Sequence, residues 1–255
     1  MSLKLNPLFL ASAMALAASP ALAETAFDGP YVGAVAGLQL HGSKQAVTEG
    51  TAAFQTLTPN ITPAALTLND NDGFQGGVVA GYNVSSDNFL YGVELDVMFG
   101  NINGGAAFSG AAIPGLAPDG LTTSANRRIG TRGSLRARLG TTVGKDVLLY
   151  ATGGLAAADT RGNANVVANG APAVAWAGER NQTRWGWTVG AGAEFKLSSA
   201  IAMRAEYLYT DLGRQSVLAA GNSTVRSVAA LDGIDYQVGL PYRNGTARVG
   251  FIVRF

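Results

Sequence analysis

The amino-acid sequence predicts an all-β protein built from eight antiparallel strands. Three observations lead to this prediction. The last ten residues alternate between apolar and polar faces, seven further segments have the length and composition of strands, and the connections between strands alternate between long and short. Together these features favour a transmembrane β-barrel over a soluble fold.

The terminal strand carries the clearest signal. Read at every second residue, one face is apolar and the other bears two arginines. The apolar face consists of Ala247, Val249, Phe251, Val253 and Phe255, and the opposite face of Thr246, Arg248, Gly250, Ile252 and Arg254. A soluble protein has little reason to end in this way, whereas a strand that separates lipid from a polar barrel interior requires it.

The other seven strands are predicted from the turns and loops that flank them. They cover residues 30–40, 73–84, 89–100, 130–143, 147–159, 184–197 and 201–212. Short turns at 85–88, 144–146 and 198–200 alternate with long loops at 41–72, 101–126, 161–183 and 213–244. This alternation predicts an eight-stranded antiparallel up-and-down transmembrane β-barrel with four long external loops and three short periplasmic turns. A soluble β-sandwich, the alternative, would carry more charge on its outward faces.

Residues 1–23 have the pattern of a cleaved secretory signal peptide. Lys4 is followed by an apolar run over residues 8–18, and residues 21–23 form an A-x-A cleavage site. The run is shorter than the roughly 20 residues that a membrane-anchor helix needs, which argues against that alternative. We therefore expect cleavage near Ala23, and we expect residues 24–255 to form one barrel domain in the outer membrane of a Gram-negative bacterium.

The composition argues against several other classes of protein. Cleavage of the predicted signal peptide removes Lys4, one of 18 basic residues. The 17 basic residues that remain equal the 17 acidic residues in number. A nucleic-acid-binding protein would show a basic excess instead. Cysteine is absent from the sequence, which excludes disulfides and thiol chemistry. With a single histidine, only carboxylates remain as metal ligands, so we expect neither a metal nor another cofactor.

The polar faces of the strands predict a charged barrel interior. An eight-stranded barrel is only wide enough for side chains to fill it, so charged groups on these faces should meet and form ion pairs. The predicted network comprises Glu94, Asp96, Arg136, Arg138, Glu194, Lys196, Arg204, Glu206, Arg248 and Arg254. We expect Gly190, Gly192 and Gly250 to leave room for the arginines. A charged pore lining is the alternative, and the first, second and fifth strands carry too little charge for their faces to be assigned.

Aromatic residues occupy the face opposite the charges and cluster near strand ends. They are Phe89, Tyr91, Phe99, Trp185, Trp187, Tyr207, Tyr209 and Phe251, with Phe255 at the terminus. Girdles of aromatic residues at both membrane interfaces are typical of transmembrane barrels. Ordinary core packing is the alternative, but it does not explain why the rings share one face.

Two consecutive segments resemble a known family. Residues 185–195 (WGWTVGAGAEF) and 204–213 (RAEYLYTDLG) are similar to the hairpin typical of opacity-type and related porin-like outer-membrane surface proteins of proteobacteria. Residues 31–33 and 248–255 resemble the first and last strands of that family. The resemblance implies an eight-stranded barrel in contact with outer-membrane lipid. It also implies that Phe255 and its strand are the signal for the barrel-assembly machinery, and it implies no function for the loops.

Three classes of function remain open at this point. The first is a structural barrel with a filled interior that supports the envelope and contacts an unidentified surface ligand through its loops. The second is a small porin that passes ions or small solutes. The third is an outer-membrane hydrolase or acyltransferase, for which His41 and Ser43 could join an acid such as Asp211. No spacing favours such a set, so we expect no catalytic residues.

Overall fold

The computed structural model describes residues 26–42, 45–50, 63–70, 73–86, 89–115, 117–171, 173–229 and 231–255. The predicted signal peptide at 1–23 and Ser43 lie outside the described residues. Within the described ranges the chain forms twelve strands and one short helix. They are β1 (Gly29–Gly42), β2 (Gln45–Gly50), β3 (Ala65–Thr67), β4 (Asn69–Asp70), β5 (Phe74–Ser86), β6 (Phe89–Phe99), β7 (Ile102–Ser109), β8 (Leu121–Val143), β9 (Val147–Ala168), β10 (Ala175–Lys196), β11 (Ile201–Gly221), α1 (Ser223–Ser227) and β12 (Tyr236–Arg254).

Eight of these strands close into one antiparallel barrel. Their order around the barrel is β1, β5, β6, β8, β9, β10, β11 and β12, and β12 pairs with β1. In the closing pair, Tyr31 lies opposite Arg254 and Leu38 lies opposite Ala247. Closure pairs the edges that an open sheet would expose. The predicted eight-stranded antiparallel barrel is confirmed.

Five barrel strands are longer than a membrane crossing requires. Strands β8 to β12 have 19 to 23 residues, whereas about 9–11 residues cross a bilayer. Their halves remote from the short turns continue as an extension beyond the length of a membrane crossing, in which β7 pairs with β8, and β2 pairs with β12. Much of what the sequence predicts as loop is therefore strand, namely residues 121–126, 161–168, 175–183, 213–221 and 236–244.

Bulges in β8 and β11 separate the membrane part from the extension. Between Ile129 and Arg132, β8 contains one residue more than its partner β9. Between Asp211 and Arg214, β11 contains one residue more than β12, and Gly213 in this bulge has a φ of 76°. An extra residue changes which alternate side chains point inward. In both strands odd-numbered residues face inward above the bulge and even-numbered residues below it.

The helix α1 lies in the connection between β11 and β12. Asn222 caps it by accepting a hydrogen bond from the backbone N–H of Val225 at 3.0 Å. No helix in the described part of the chain is long and apolar enough to cross a membrane.

Candidate functional site in the barrel interior

The interior of the membrane part is filled by charged side chains that the strand register brings face to face. Three carboxylates lie directly opposite arginines on neighbouring strands. The pairs are Glu94 with Arg136, Glu194 with Arg204, and Glu206 with Arg248. Because directly opposed side chains in a sheet are close neighbours, the backbone pairing alone places each acid beside a base.

The first group of contacts is centred on Arg136, which bridges three carboxylates. Its guanidinium lies 2.9 Å from Glu206 Oε1 and 2.9 Å from Asp96 Oδ2, and it forms an ion pair with Glu94. Arg248 pairs with Glu206 and lies 3.5 Å from Asp96. Five side chains from four strands are thereby joined.

The second group is centred on Glu194, which accepts from three arginines. Arg138 Nη2 and Arg204 Nη2 each lie 2.6 Å from Glu194 Oε1, and Arg254 pairs with Oε2. Arg204 Nη1 also lies 2.6 Å from Glu94 Oε2, which links this group to the first. We call the nine residues of the two linked groups the ionic interior.

The ionic interior is almost completely shielded from solvent. The paired side chains are between 0% and 6% exposed. Unpaired charges at such burial would be strongly unfavourable, so the arginines and carboxylates depend on one another. The arrangement occupies the lumen and holds the strands together across the barrel.

Lys196 is placed differently from the other nine predicted network residues. It is half-buried at the last position of β10. Within the described part of the chain it forms no ion pair with a carboxylate, so it lies beside the ionic interior without joining it. The sequence pattern assigned it to the correct face but could not show that it sits at a strand end.

Two tyrosines belong to the ionic interior, and the sequence analysis did not find them. Tyr31 donates to Glu94 Oε2 at 2.6 Å and accepts from Arg138 Nη1 at 2.7 Å. The hydroxyl of Tyr150 donates to Glu206 Oε1 at 3.3 Å, and the Arg138 guanidinium lies 3.9 Å from its ring centroid. Both tyrosines lie on strands with too little charge for their faces to be assigned. Only the pairing with charged neighbours reveals which way they point.

Several glycines of the interior make room for these rings and for apolar side chains, and Gly37 lies against the side chain of Arg248. A side chain at Gly192 would meet the Tyr150 hydroxyl, and one at Gly81 would meet the ring of Tyr31. At Gly190 and Gly250 the nearest side-chain atoms belong to Leu208 and Val35. At these three glycines the nearest atoms belong to tyrosine, apolar side chains and the backbone, and none of them belongs to an arginine.

The predicted aromatic residues lie on the outer face of the barrel. Phe99 is exposed at the end of β6, and Trp185 and Trp187 are exposed near the middle of β10, below its extension, with Trp185 72% exposed. Toward the periplasmic ends, the exposed rings are those of Phe89, Tyr91, Phe251 and Phe255. Tyr207 is exposed on the same face, and the half-buried ring of Tyr209 lies 5.6 Å from that of Trp187. Rings that project outward at both levels suit the two membrane interfaces.

Above the bulges, the barrel is filled mainly by apolar side chains, and the buried Arg127 donates to the carbonyl of Pro241. The cluster includes Ile129, Leu212, Val217, Trp176 and Leu240, all buried. The indole of Trp176 donates to the carbonyl of Ile234 at 2.8 Å. We call this cluster, which closes the extracellular end of the lumen, the apolar interior. Burial there raises the pKa of Tyr236 to about 12, so its phenol stays neutral.

The outside of the extension carries a polar surface next to the lipid-facing rings. Arg128 and Arg161 lie directly opposite each other on β8 and β9, with Asn103 and Asn181 as their next neighbours in the row. Asn181 is four residues above Trp185, which is about 13 Å along the strand. An open hollow of about 560 Å³ lies on this surface. We call the residues that line it on the outside, namely Asn103, Asn126, Arg128, Arg161 and Asn163, the outer polar face.

Of the residues considered for catalysis, Ser43 and the side chain of His41 lie outside the described part of the structure. The backbone of His41 lies at the outer end of β1. Asp211 instead forms an ion pair with Arg243 at 2.9 Å, and it accepts from the backbone N–H of Gly213 at 2.8 Å. Asp211 therefore stabilises the bulge in β11.

Comparison with known proteins identifies the family. Residues 8–255 match the family described as outer membrane protein beta-barrel domain. The chain belongs to this family. Among its relatives, the 31 kDa outer-membrane immunogenic protein of Brucella melitensis is 34% identical over 172 residues, with 67% of this chain and 66% of that protein covered. The 25 kDa outer-membrane immunogenic protein of Brucella abortus is 36% identical over 172 residues, with 68% and 66% covered.

Among solved structures, this member of the outer-membrane β-barrel family is similar to the outer membrane protein OprG from Pseudomonas aeruginosa. The TM-score is 0.53 at 16% identity, with 89% of this chain and 96% of that chain covered. At this identity the likeness shows the fold alone. The matched region spans 66% of the length of the two Brucella proteins.

The family membership confirms the predicted class of protein and its location. This is an outer-membrane β-barrel protein of the Gram-negative type, exposed at the cell surface, and its buried ion pairs fit a filled interior. The resemblance to small outer-membrane surface proteins of proteobacteria is confirmed as well.

Proposed function

We propose that this protein is a non-conducting barrel that supports the outer membrane and presents its extracellular extension for surface interaction, without catalytic activity. The observation that carries the proposal is the ionic interior, whose nine side chains occupy the lumen and are ion-paired with one another. The apolar interior closes the same lumen from the extracellular side. Relatives named for immunogenicity support the exposure of the extension.

Planar-bilayer conductance of the purified protein tests the closed lumen. We expect the wild-type protein to insert without current steps, because solutes would have to displace paired and desolvated charges. Reproducible steps from the wild-type protein would contradict the proposal and favour a small porin. Insertion is verified in the same membranes by the heat-dependent shift of the barrel in gel electrophoresis.

For the surface interaction, we propose that the outer polar face binds the phosphorylated saccharides of outer-leaflet glycolipid. Arg128 supplies positive charge at the level just above the lipid-facing rings. Arg161 lies beside it and forms an exposed ion pair with Glu179 at 2.7 Å, which a phosphate can replace. Planar guanidinium groups suit phosphate oxygens, and the asparagine amides suit sugar hydroxyls. The buried Oδ1 of Asn163 accepts no hydrogen bond from the described residues, so it offers an acceptor to a ligand.

The test is thermal unfolding in detergent with added lipopolysaccharide, compared with a zwitterionic phospholipid at the same concentration. We expect lipopolysaccharide to raise the unfolding temperature of the wild-type protein, and the double variant Arg128→Ala/Arg161→Ala to lose most of that rise. Arg226→Ala is the matched control, since Arg226 lies on α1 away from this face. An undiminished rise in the double variant would refute this binding surface.

We also propose that the terminal strand is recognised by the barrel-assembly machinery through Phe255. Its side chain is 75% exposed on the lipid-facing side, while its backbone N–H donates to the carbonyl of Pro30 at 3.2 Å. Phe255→Ala should therefore slow assembly in cells but leave the stability of the assembled barrel nearly unchanged. Pulse-chase measurement of the folded fraction checks this expectation, with Phe251→Ala as the control on the same face.

A further inference from the structure

One arginine of the lumen has no partner among the described residues. The three guanidinium nitrogens of Arg132 are buried and form no hydrogen bond with any described group. The strand register explains why. Arg132 lies opposite Met98 on β6 and Ala158 on β9, whereas Arg136 lies opposite a carboxylate.

Asp96, the carboxylate that lines the same cavity and acts electrostatically on Arg132, does not pair with it because Asp96 is already occupied. Asp96 accepts from Ser134 at 2.6 Å, and it lies 2.9 Å from Arg136 and 3.5 Å from Arg248. Taken together, the ionic interior and Arg132 comprise six arginines and four carboxylates. The interior thus holds an excess of two positive charges, and Arg132 is the one that lacks any protein acceptor.

The guanidinium of Arg132 lines a cavity between the ionic interior and the apolar interior. The cavity has a volume of about 30 Å³, enough for about two water-sized particles. Ile129 and Leu212 of the apolar interior form part of its wall. A charge beside such a wall is poorly solvated, which makes a compensating ligand strongly favourable.

A second unpaired donor lines the same cavity. Gln75 is buried, and its Nε2 donates to no described group. Among the described residues of this lining, the buried side-chain atoms that lack a hydrogen-bond partner are therefore all donors. The carboxylate of Asp96 also lines the cavity, but it is already paired with Arg136 and Arg248. The donors that lack a partner, a guanidinium and an amide N–H, therefore favour an anion.

We propose that the cavity binds one small monovalent inorganic anion of the halide type, held by Arg132 and Gln75. The volume excludes larger organic anions. The bound ion neutralises part of the positive excess and satisfies the donors that the strand register leaves without protein partners. Its position below the apolar interior makes it a structural ion of the closed lumen.

The direct test is a crystal of the protein soaked in sodium bromide and examined by anomalous diffraction. The expected result is a bromide peak within hydrogen-bond distance of the Arg132 guanidinium and the Gln75 amide. Bromide found only at exposed arginines, with none in the lumen, would overturn the proposal.

A solution test uses thermal unfolding in sodium chloride against sodium gluconate at equal ionic strength, since gluconate is too large for the cavity. For the wild-type protein, each tenfold rise in chloride above the dissociation constant should raise the unfolding temperature by about 3 °C. Arg132→Met should abolish this difference between the salts. Arg226→Met, which removes an exposed arginine of α1 outside the lumen and outside the outer polar face, should retain it.

Two further outcomes keep the test decisive. If Arg132→Met does not assemble, Gln75→Leu replaces it, because this variant keeps the guanidinium. In Gln75→Leu, higher chloride concentrations should be needed for the same rise in unfolding temperature. An equal chloride effect in either lumen variant and the wild-type protein would refute the site. The result is independent of the conductance test, because a silent barrel can lack the ion and a conducting barrel can bind it.

Discussion

The ionic interior and the apolar interior occupy one barrel but are filled in opposite ways. In the membrane part, the outer face must be apolar for lipid, and the lumen holds the charged residues. In the extension, the outer face carries the polar residues, and the lumen holds Trp176, Val217 and Leu240. The comparison teaches that the medium around the outer face, lipid or water, determines the polarity of the lumen at the same level. This follows because side chains along each strand alternate between the outer face and the lumen.

The largest expected effect comes from breaking the ionic interior. Arg136→Leu should lower the free energy of unfolding by about 4 kcal/mol, because it leaves Glu94, Glu206 and Asp96 with fewer partners in a buried site. It should also produce current leaks in planar bilayers. Urea unfolding in lipid vesicles measures the first effect. Arg226→Leu on α1 should change neither quantity, and equal stability of the two variants would argue against a network that holds the barrel.

The apolar interior should respond to loss of volume rather than loss of charge. Leu240→Ala removes a fully buried side chain and should cost about 3 kcal/mol. The loss should appear as faster proteolysis of the extension, with no current leak, because the ionic interior stays intact. Leu218→Ala on the neighbouring strand is the control, since Leu218 is 55% exposed. A leak in Leu240→Ala would show that both interiors are needed to close the lumen.

A smaller effect is expected at the tyrosines that join the ion pairs. Tyr150→Phe removes the hydroxyl that donates to Glu206 but keeps the ring beside Arg138. The free energy of unfolding should fall by about 1.5 kcal/mol, the range for a hydrogen bond to a charged group. Tyr91→Phe, on the lipid-facing side, serves as the control. If the two variants unfold alike, the hydroxyl does not support the carboxylate.

The boundary between the two regions offers the smallest effect. Gly213 adopts a positive φ of 76° in the β11 bulge, a conformation that costs a residue with a Cβ about 1 kcal/mol. Gly213→Ala should therefore destabilise the protein by about that amount. Gly76→Ala is the matched control, because a Cβ there meets nothing within 4 Å. Equal unfolding midpoints would mean that the bulge adapts without strain.

The membrane part of the fold could be predicted from the sequence because charged and apolar residues alternate there without interruption. The extension could not, and β8 shows why. Its inward residues are even-numbered at Ser134 and Arg136 but odd-numbered at Ala125 and Ile129. The bulge between the two sets interrupts the two-residue period, so the strand reads as a loop beyond that point.

The candidate site was predictable to a similar degree. The face of Arg136, Arg204 and Glu194 follows from alternation alone. The inward position of Tyr31 does not, because β1 carries almost no charge and both of its faces look alike. The missing partner of Arg132 depends on which residue lies opposite on another strand, and a single sequence does not reveal the register between strands.

By itself, the sequence determined that this protein is a barrel with an apolar outer face and a charged interior. This conclusion needs only the two-residue alternation of apolar and charged residues and the number of strands. The tertiary structure decided which charges meet, where the bulges shift the pattern, and where the lumen changes from ionic to apolar. These features depend on pairings between strands far apart in the chain, such as Tyr31 with Arg254. Such pairings follow from barrel closure, and no local stretch of sequence encodes them.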